Sequence, residues 1–176
     1  MSRELLELPE IRLAPIEEGY LAKMRRWRND PRVYRWCRQF EPITDAHHKA
    51  WFDGLNDDTS TKMYAVMKSG THNIFLGVCG LTSIDWVNRR AEFSLYIDPG
   101  AQGKGYGEAA LRRLLKVGFE VLNLNCIWGE AFEGNPAVRM FERVGFKSEG
   151  ERREFYYRDG KYINAKLFSI LRSEYA

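Results

Sequence analysis

Three glycines within five residues, at positions 103, 105 and 107, are the feature that most constrains the fold of this 176-residue chain. They follow the apolar run 95–97 and precede a helical pattern that starts at Glu108. Because glycine adopts backbone angles that are closed to other residues, such a loop turns several N–H groups and a helix N-terminus towards one anion. The stretch therefore predicts a strand, a pyrophosphate-binding loop and a helix.

Two common phosphate-binding patterns fit this loop poorly. The Walker pattern needs a lysine followed by serine or threonine after its last glycine, whereas Gly107 is followed by Glu108. The dinucleotide fingerprint spaces its glycines as G-x-G-x-x-G in an early βαβ unit, whereas this loop reads Gly103-Lys-Gly-Tyr-Gly107 past the middle of the chain. A kinase or ATPase site and a dinucleotide site are both disfavoured.

The loop and a second motif resemble one known superfamily. Gln102-Gly-Lys-Gly-Tyr-Gly107 is similar to the Q/R-x-x-G-x-G/A loop of the GCN5-related N-acetyltransferases, and Asn135 with Phe141-Glu-Arg-Val-Gly-Phe146 resembles their second signature. Trp27-Arg-Asn-Asp-Pro31 and His48-Lys-Ala-Trp51 resemble the branch that acetylates ribosomal-protein N-termini, polyamines and aminosugar nucleotides. The resemblance implies an α+β fold in a single N-acetyltransferase domain over residues 1–176, with a mainly antiparallel central sheet of about seven strands flanked by helices.

The resemblance also implies acetyl-CoA as the acyl donor and a set of residues that bind it. In the superfamily, the strand before the loop pairs its main chain with the pantetheine arm, which corresponds here to Leu95 and Ile97. The loop and the second motif complete the expected set. Its members are Leu95, Ile97, Gln102, Gly103, Lys104, Gly105, Tyr106, Gly107, Asn135 and Phe141.

Proton transfer is the task of the candidate catalytic carboxylates. A lysine-like amine has a pKa of about 10, so a base or a water relay takes its proton before it attacks the thioester. Glu130 lies five residues before Asn135, the spacing at which some members of the superfamily carry a base, and Glu92 lies on the strand before the loop. An ion pair at a strand end is the alternative for either carboxylate.

The position of the expected general acid departs from the superfamily pattern. Relatives often carry a tyrosine that protonates the leaving thiolate, and the matching position here is Phe141, which has no hydroxyl. Tyr157 is the catalytic candidate for this role, with Tyr156 or a water as alternatives. Departure without an acid is a further alternative, because a coenzyme A thiolate is a tolerable leaving group.

Arginines and aromatic residues crowd the first 60 residues and indicate where the acceptor binds. Arginine forks hold phosphates, and aromatic faces stack on bases or sugar rings. We interpret Trp27, Arg28 and Trp51 as candidate substrate-binding residues, with a solvated helix face beside a core stripe as the alternative for most of the cluster.

The predicted function is transfer of an acetyl group to a primary amine of a small molecule. An aminosugar nucleotide is the first candidate acceptor, because the arginines favour an anion, and a polyamine is the second. Acetylation of a protein N-terminus is a second enzymatic alternative. A non-catalytic acyl-CoA-binding domain is the alternative that Phe141 keeps open.

Composition restricts the class of protein, its location and its partners. A hydrophobic content of 44% suits one domain with a sizeable core, and the longest apolar runs are too short to cross a membrane. The start, Met1-Ser-Arg-Glu, lacks the order of a signal peptide, which predicts a cytoplasmic protein. Three widely spaced cysteines indicate neither a disulfide framework nor a metal site, and a net charge of +3 is too small to indicate a nucleic-acid partner. The sequence is compatible with a homodimer.

Hydrophobic periodicity predicts the order of the later elements. Three alternating runs predict an antiparallel meander before the glycine loop. A hairpin at the end of the chain is indicated by the turn signal Asp159-Gly160. The predicted elements are strands over 62–68, 74–86, 91–97 and 126–132, helices over 108–121 and 136–144, and hairpin strands over 146–157 and 162–171.

Overall fold

The structure, a computed structural model, describes residues 8–70 and 73–175. Within these ranges, seven strands form one sheet in the order β1-β2-β3-β4-β5-β7-β6. The strands are β1 (Ile11–Ala14), β2 (Lys62–Lys68), β3 (Ile74–Asp85), β4 (Arg90–Ile97), β5 (Cys126–Phe132), β6 (Lys147–Arg158) and β7 (Lys161–Leu171). All neighbouring strands pair antiparallel except β4 and β5, which are parallel, so the expected mainly antiparallel sheet is confirmed.

Helices cover both faces of this sheet. They are α1 (Leu21–Arg28), α2 (Pro31–Tyr34), α3 (Asp45–Gly54), α4 (Tyr106–Lys116) and α5 (Val138–Val144). The side chain of Thr44 caps α3 by accepting the N–H of His47 at 3.2 Å. No helix in the described ranges is both long enough and apolar enough to cross a membrane.

Glycines explain where the strands turn and approach each other. Asp159 and Gly160 have φ angles of 48° and 80°, which gives the two-residue turn that matches the twist of β6 and β7. On β3, a Cβ atom at Gly77 would lie 2.4 Å from the carbonyl oxygen of Tyr96. The close approach of β3 to β4 at this point therefore requires glycine.

The parallel strands β4 and β5 separate after three residue pairs, and this separation creates the space for a site. The pairs join residues 90–92 of β4 to residues 126–128 of β5. Beyond them, the two strands share no further pairs within the described chain. On the edge of β4 opposite β3, the main chain of residues 93–97 consequently faces an open slot instead of a neighbouring strand.

The sheet separates two hydrophobic clusters. One contains Leu111 of α4 and Ile127 of β5, and the other contains Met24 and Trp27 of α1. Side chains alternate along β4, so Phe93, Leu95 and Ile97 face the first cluster while Glu92, Ser94 and Tyr96 face the second side. The slot between β4 and β5 is therefore bordered by both layers of helices.

Two predicted helices differ from the observed ones. The helix expected over 108–121 is α4, which ends at Lys116 and continues as a π-helical turn over Val117–Val121. A Cβ atom at Gly118 would lie 2.5 Å from Ile127 Cδ1, so the turn packs tightly on β5. The helix expected from residue 136 begins at Val138, because Asn135 first forms a turn by accepting the N–H of Ala137 at 2.9 Å.

Candidate active site

A cavity of about 580 Å³ occupies the slot between β4 and β5. One end is lined by the glycine loop before α4 and by the start of α5. The other end is lined by the segment 36–39, which follows α2, and by the side chains of Glu92 and Glu130. We call the first end the loop mouth and the second end the carboxylate mouth.

At the loop mouth, the glycines prepare a helix N-terminus for an anion. Gly103 and Gly105 have left-handed φ angles of 75° and 81°, and Gly105 is the residue directly before α4. The first N–H groups of a helix have no acceptor within it. Within the described ranges, the N–H groups of residues 102–105 also donate no hydrogen bond. These donors and the positive end of α4 suit a pyrophosphate.

The main chain of β4 presents hydrogen-bonding groups to the slot. The N–H of Asp98 donates to the carbonyl oxygen of Leu76 at 2.7 Å, on the β3 side. Because main-chain groups alternate between the two edges of a strand, those of Leu95 and Ile97 point to the opposite edge and into the slot. The Gln102 side chain donates to the Ile97 carbonyl oxygen at 3.3 Å, which ties the loop to the end of β4.

Aromatic rings close the slot on the α5 side. Phe141 is 6% exposed, and its ring centre lies 5.0 Å from that of Phe93 in an edge-to-face arrangement. Both rings line the cavity. Phe141 therefore offers the slot an apolar wall and no proton.

At the carboxylate mouth, Arg38 joins the two strands that border the slot. Its Nη2 atom lies 2.7 Å from Glu92 Oε1, and its Nη1 atom lies 3.3 Å from Glu130 Oε1. The side chains of Glu92 and Glu130 are only 8% and 3% exposed. Arg152 Nη1 lies 2.9 Å from Glu130 Oε2, and Tyr156 donates a hydrogen bond to Glu130 Oε1. Glu130 thus has three side-chain donors, whereas Glu92 has one within the described chain.

Burial and charge shift the pKa values in this cluster. Burial opposes the charged form of Arg38, but the carboxylates of Glu92 and Glu130 outweigh it and raise the pKa of Arg38. Burial, reinforced by the hydrogen bond to Glu130, raises the pKa of the Tyr156 phenol. At neutral pH, Arg38 is therefore a cation and Tyr156 is a neutral donor whose proton is directed to Glu130.

Comparison with known proteins identifies the family. Residues 10–147 match the sequence model of the acetyltransferase (GNAT) domain. The chain belongs to the GNAT family. The superfamily, the α+β fold and the acetyl-CoA-dependent acetyltransferase class that the sequence implied are confirmed.

Relatives of this GNAT domain are named for different acceptors. The spermidine N(1)-acetyltransferase of Vibrio cholerae is 28% identical over 168 residues, which cover 94% of this chain and 95% of that protein. A putative ribosomal N-acetyltransferase of Bacillus subtilis is 37% identical over 100 residues, which cover 56% of this chain and 55% of that protein. The crystal structure of the Vibrio cholerae spermidine N-acetyltransferase with CoA and spermine matches with a TM-score of 0.88 and 28% identity, covering 94% of this chain and 97% of that chain.

Most of the residues predicted from the sequence come together in the GNAT slot. The carboxylates Glu92 and Glu130 and the guanidinium of Arg28 line the carboxylate mouth. Lys104 lies outside the cavity lining, and its Nζ atom is 3.4 Å from the carbonyl oxygen of Gly100. The predicted cofactor residues in the lining are Leu95, Ile97, Gln102, Gly103, Gly105, Tyr106, Gly107, Asn135 and Phe141.

Three other predicted residues of this GNAT domain lie away from the cavity lining. Trp27 is 3% exposed and belongs to the core beside α1, as the spacing of an amphipathic helix allows. Trp51 lies on α3, where its ring stacks on His48 with the centres 5.3 Å apart. Tyr157 is 63% exposed and pairs with Tyr162 on the terminal hairpin. These surroundings favour structural or surface roles for all three.

Three arginines of the GNAT site were not among the predicted residues. Arg38 belongs to the arginine cluster of the first 60 residues, where the sequence does not indicate which carboxylate each arginine pairs with. Arg152 lies on β6, and its contact with Glu130 spans β7, so no local pattern connects the two. Arg143 lines the loop mouth and lies 3.0 Å from Glu108, and its place in the second motif was a signal that could have found it.

Proposed function

We propose that this chain transfers the acetyl group of acetyl-CoA to a primary amine of a small molecule. The observation that carries the proposal is the continuity of the slot between two chemically different mouths. The loop mouth offers N–H donors for a pyrophosphate, and the carboxylate mouth offers buried acids for an amine. A donor and an acceptor bound at the two mouths meet between β4 and β5.

The residues of the loop mouth fit acetyl-CoA. The main chain of 102–107 would bind the pyrophosphate, and the groups of Leu95 and Ile97 that face the slot would pair with the pantetheine arm. Asn135, in the turn before α5, and Phe141, on α5, border the same space. When bound there, acetyl-CoA supplies an activated thioester. The residues of the chain hold that thioester in place, exclude water and direct the amine to it.

Glu92 is the residue that we assign as the proton acceptor. An attacking amine needs a free lone pair, and a carboxylate at the mouth of the slot takes its proton. Glu130 is already engaged by three donors, whereas Glu92 is engaged by Arg38 alone among the described side chains. We assign Glu130 to positioning, because it holds Arg38, Arg152 and Tyr156 around the slot.

The leaving thiolate departs without a tyrosine in this proposal. Phe141 has no hydroxyl, Tyr157 lies outside the cavity lining, and the hydroxyl of Tyr156 donates its hydrogen bond to Glu130. A thiol has a pKa of about 8.5, so its anion leaves much more readily than an alkoxide. A water in the slot is a sufficient proton source after departure.

Two observations favour different acceptors. The relatives named as spermidine N-acetyltransferases, which match almost the whole chain, favour a polyamine. The arginines at the carboxylate mouth favour an amine that carries an anion, such as an aminosugar nucleotide. Both acceptors present a primary amine to the same slot.

A panel of amines tests the proposal. Thiol release from acetyl-CoA should rise above the rate of hydrolysis with at least one primary amine among polyamines, nucleotide-linked aminosugars and peptides, and mass spectrometry should find the amine acetylated. A chain that binds acetyl-CoA but acetylates none of these amines would contradict the catalytic proposal. The non-catalytic acyl-CoA-binding alternative would then be favoured.

We extend the proposal to the state of the chain in solution. A dodecameric structure is described for the spermidine N-acetyltransferase of Vibrio cholerae, which supports an oligomeric form of this chain. Light scattering coupled to size-exclusion chromatography measures whether that form is the homodimer left open by the sequence or a larger assembly. The cytoplasmic location stays a prediction.

A further inference from the structure

The acid pair at the carboxylate mouth is already occupied by a cation of the chain itself. Arg38 contacts Glu92 at 2.7 Å and Glu130 at 3.3 Å, and Arg152 contacts Glu130 at 2.9 Å. Two guanidiniums therefore face two carboxylates. An acceptor with a second ammonium group would find these negative charges neutralised.

The segment that carries Arg38 is held in place by several contacts. Arg158 Nη2 donates to the carbonyl oxygen of Cys37 at 2.5 Å. On the other side of Arg38, Gln39 Oε1 accepts two hydrogen bonds from the Arg28 guanidinium, at 2.6 and 3.0 Å. These anchors fix the segment on both sides of Arg38, and the contacts with Glu92 and Glu130 hold its side chain at the mouth.

Positive charge remains at this mouth after the pairs are formed. Arg28 lines the cavity, and its contacts are the neutral amide of Gln39 and the ring of Tyr96, whose centre lies 5.4 Å from Arg28 Cζ. No carboxylate lies within salt-bridge distance of Arg28 in the described chain. Arg28 is thus a partly buried cation that an anionic ligand would satisfy.

We infer that Arg38 sets the charge of the acceptor: by neutralising Glu92 and Glu130, it disfavours polyamines and selects a primary amine that carries a phosphate or carboxylate, which Arg28 receives. The inference rests on the proposed acetyl transfer and names the acceptor class of the same slot. It assigns Arg38 a role in specificity, as a positioning residue that acts through the two carboxylates. Repulsion of a wrong partner is as effective a route to specificity as attraction of the right one.

Calorimetry of acceptor binding in the presence of CoA tests the inference. The probes are spermidine and uridine diphosphate glucosamine, which carries one amine and a diphosphate. Wild type should bind the nucleotide sugar more tightly than spermidine. Arg38→Gln should tighten spermidine binding by about 10-fold or more, since removal of one adjacent like charge is worth at least about 1.4 kcal/mol. Arg38→Lys should keep the wild-type preference.

A matched control and a second variant separate specificity from folding. Arg35→Gln removes an exposed arginine outside the cavity lining and should leave both affinities unchanged. Arg38→Gln combined with Glu92→Gln also removes the carboxylate that loses its partner, so this double variant should lose the gain in spermidine binding.

Two outcomes would overturn the inference. Tighter binding of spermidine than of the nucleotide sugar by wild type is one, and an unchanged ratio of the two affinities in Arg38→Gln is the other. Because binding is measured directly, the result stands even if no amine is acetylated. A failure to acetylate any amine would contradict the proposed catalysis and leave the assignment of the acceptor charge intact.

Discussion

Arg158 and Cys37 are 121 positions apart in the chain, yet the guanidinium of Arg158 donates to the main-chain oxygen of Cys37 at 2.5 Å. The same guanidinium lies over the rings of Tyr34 and Phe132, with Cζ 5.9 and 5.5 Å from the ring centres. Strand β6 thereby fixes the segment after α2 against β5. The position of Arg38 at the carboxylate mouth depends on this link.

Arg158→Ala should weaken the fold and raise the KM for the acceptor. A hydrogen bond to a charged group contributes about 1.5–3 kcal/mol, and its loss leaves the Cys37 oxygen without this donor. Urea unfolding should show a loss of that order, while the KM for acetyl-CoA stays the same. Arg153→Ala, an exposed neighbour on β6, is the control. Equal rises in both KM values would show that the link supports the whole slot.

Gly107→Asp should abolish acetyl-CoA binding in a folded protein. Residue 107 lies in the first turn of α4, and a Cβ atom there would lie 3.4 Å from Met140 Sδ and 3.7 Å from Ile97 Cγ1, inside the slot. A carboxylate at this place repels the pyrophosphate, and like charges in contact cost several kcal/mol, or about 100-fold or more in Kd. Gly107→Ala adds the Cβ atom without the charge, so calorimetry should find at most about a 10-fold loss.

Substitution of the two carboxylates should give different pH profiles. Glu92→Gln removes the assigned proton acceptor and should lower the single-turnover rate by about 10²–10⁴ at neutral pH. The rate should recover as the pH approaches about 10, because the amine then loses its proton to water. Glu130→Gln should lower the rate by the same factor at every pH, since it disturbs the position of Arg38. If the two variants showed the opposite pH profiles, Glu130 would be the proton acceptor instead of Glu92.

The cofactor half of the site could be predicted from the sequence because it is nearly continuous in the chain. Residues 95–107 contain a strand end, a turn and a helix start, and each depends on local backbone preferences that glycine spacing reveals. The main-chain groups of Leu95 and Ile97 reach the slot regardless of which side chains these residues carry, so strand position alone was informative. The same local rules predicted the strand bounds of β2 and β5 and the turn at Asp159.

Only part of the acceptor half could be predicted, namely Glu92, Glu130 and Arg28, because long-range pairing creates the rest. Glu130 receives Arg38 from 92 positions before it and Arg152 from 22 positions after it. Sequence periodicity places each residue on a face, but it does not say which of many arginines meets which carboxylate. For the same reason, Trp27 was assigned to the acceptor, although its helical spacing equally fits the core in which it lies.

His48 should make the stability of the protein fall in mild acid. Burial, together with the positive charges of Arg28 and Arg25, lowers the pKa of His48, and a hydrogen bond with the main chain of Leu21 and the charge of Asp45 offset this only in part. The unfolded chain has a histidine pKa of about 6.5, so it takes up a proton first as the pH falls below that value. The free energy of unfolding therefore decreases until the pH passes the lower pKa of the folded state.

Thermal unfolding of His48→Gln measures this effect. The drop in Tm between about pH 7 and about pH 5 should be smaller than in wild type, because residue 48 no longer titrates. His47→Gln removes an exposed neighbour and should keep the wild-type drop. The same drop in all three proteins would assign the acid sensitivity to other groups.

Phe141→Tyr should raise kcat if departure of the thiolate limits turnover. The ring of Phe141 lines the slot, and a hydroxyl at its end would supply the acid that this chain lacks. A positioned general acid contributes about 10²–10⁴, so a gain of about 10-fold is a conservative expectation. Phe146→Tyr, on a 3% exposed ring outside the cavity lining, should lower the Tm without a gain in rate. An unchanged kcat in Phe141→Tyr with an unchanged Tm would show that departure is not limiting. Deprotonation of the amine through Glu92, or product release, would then be the slow step.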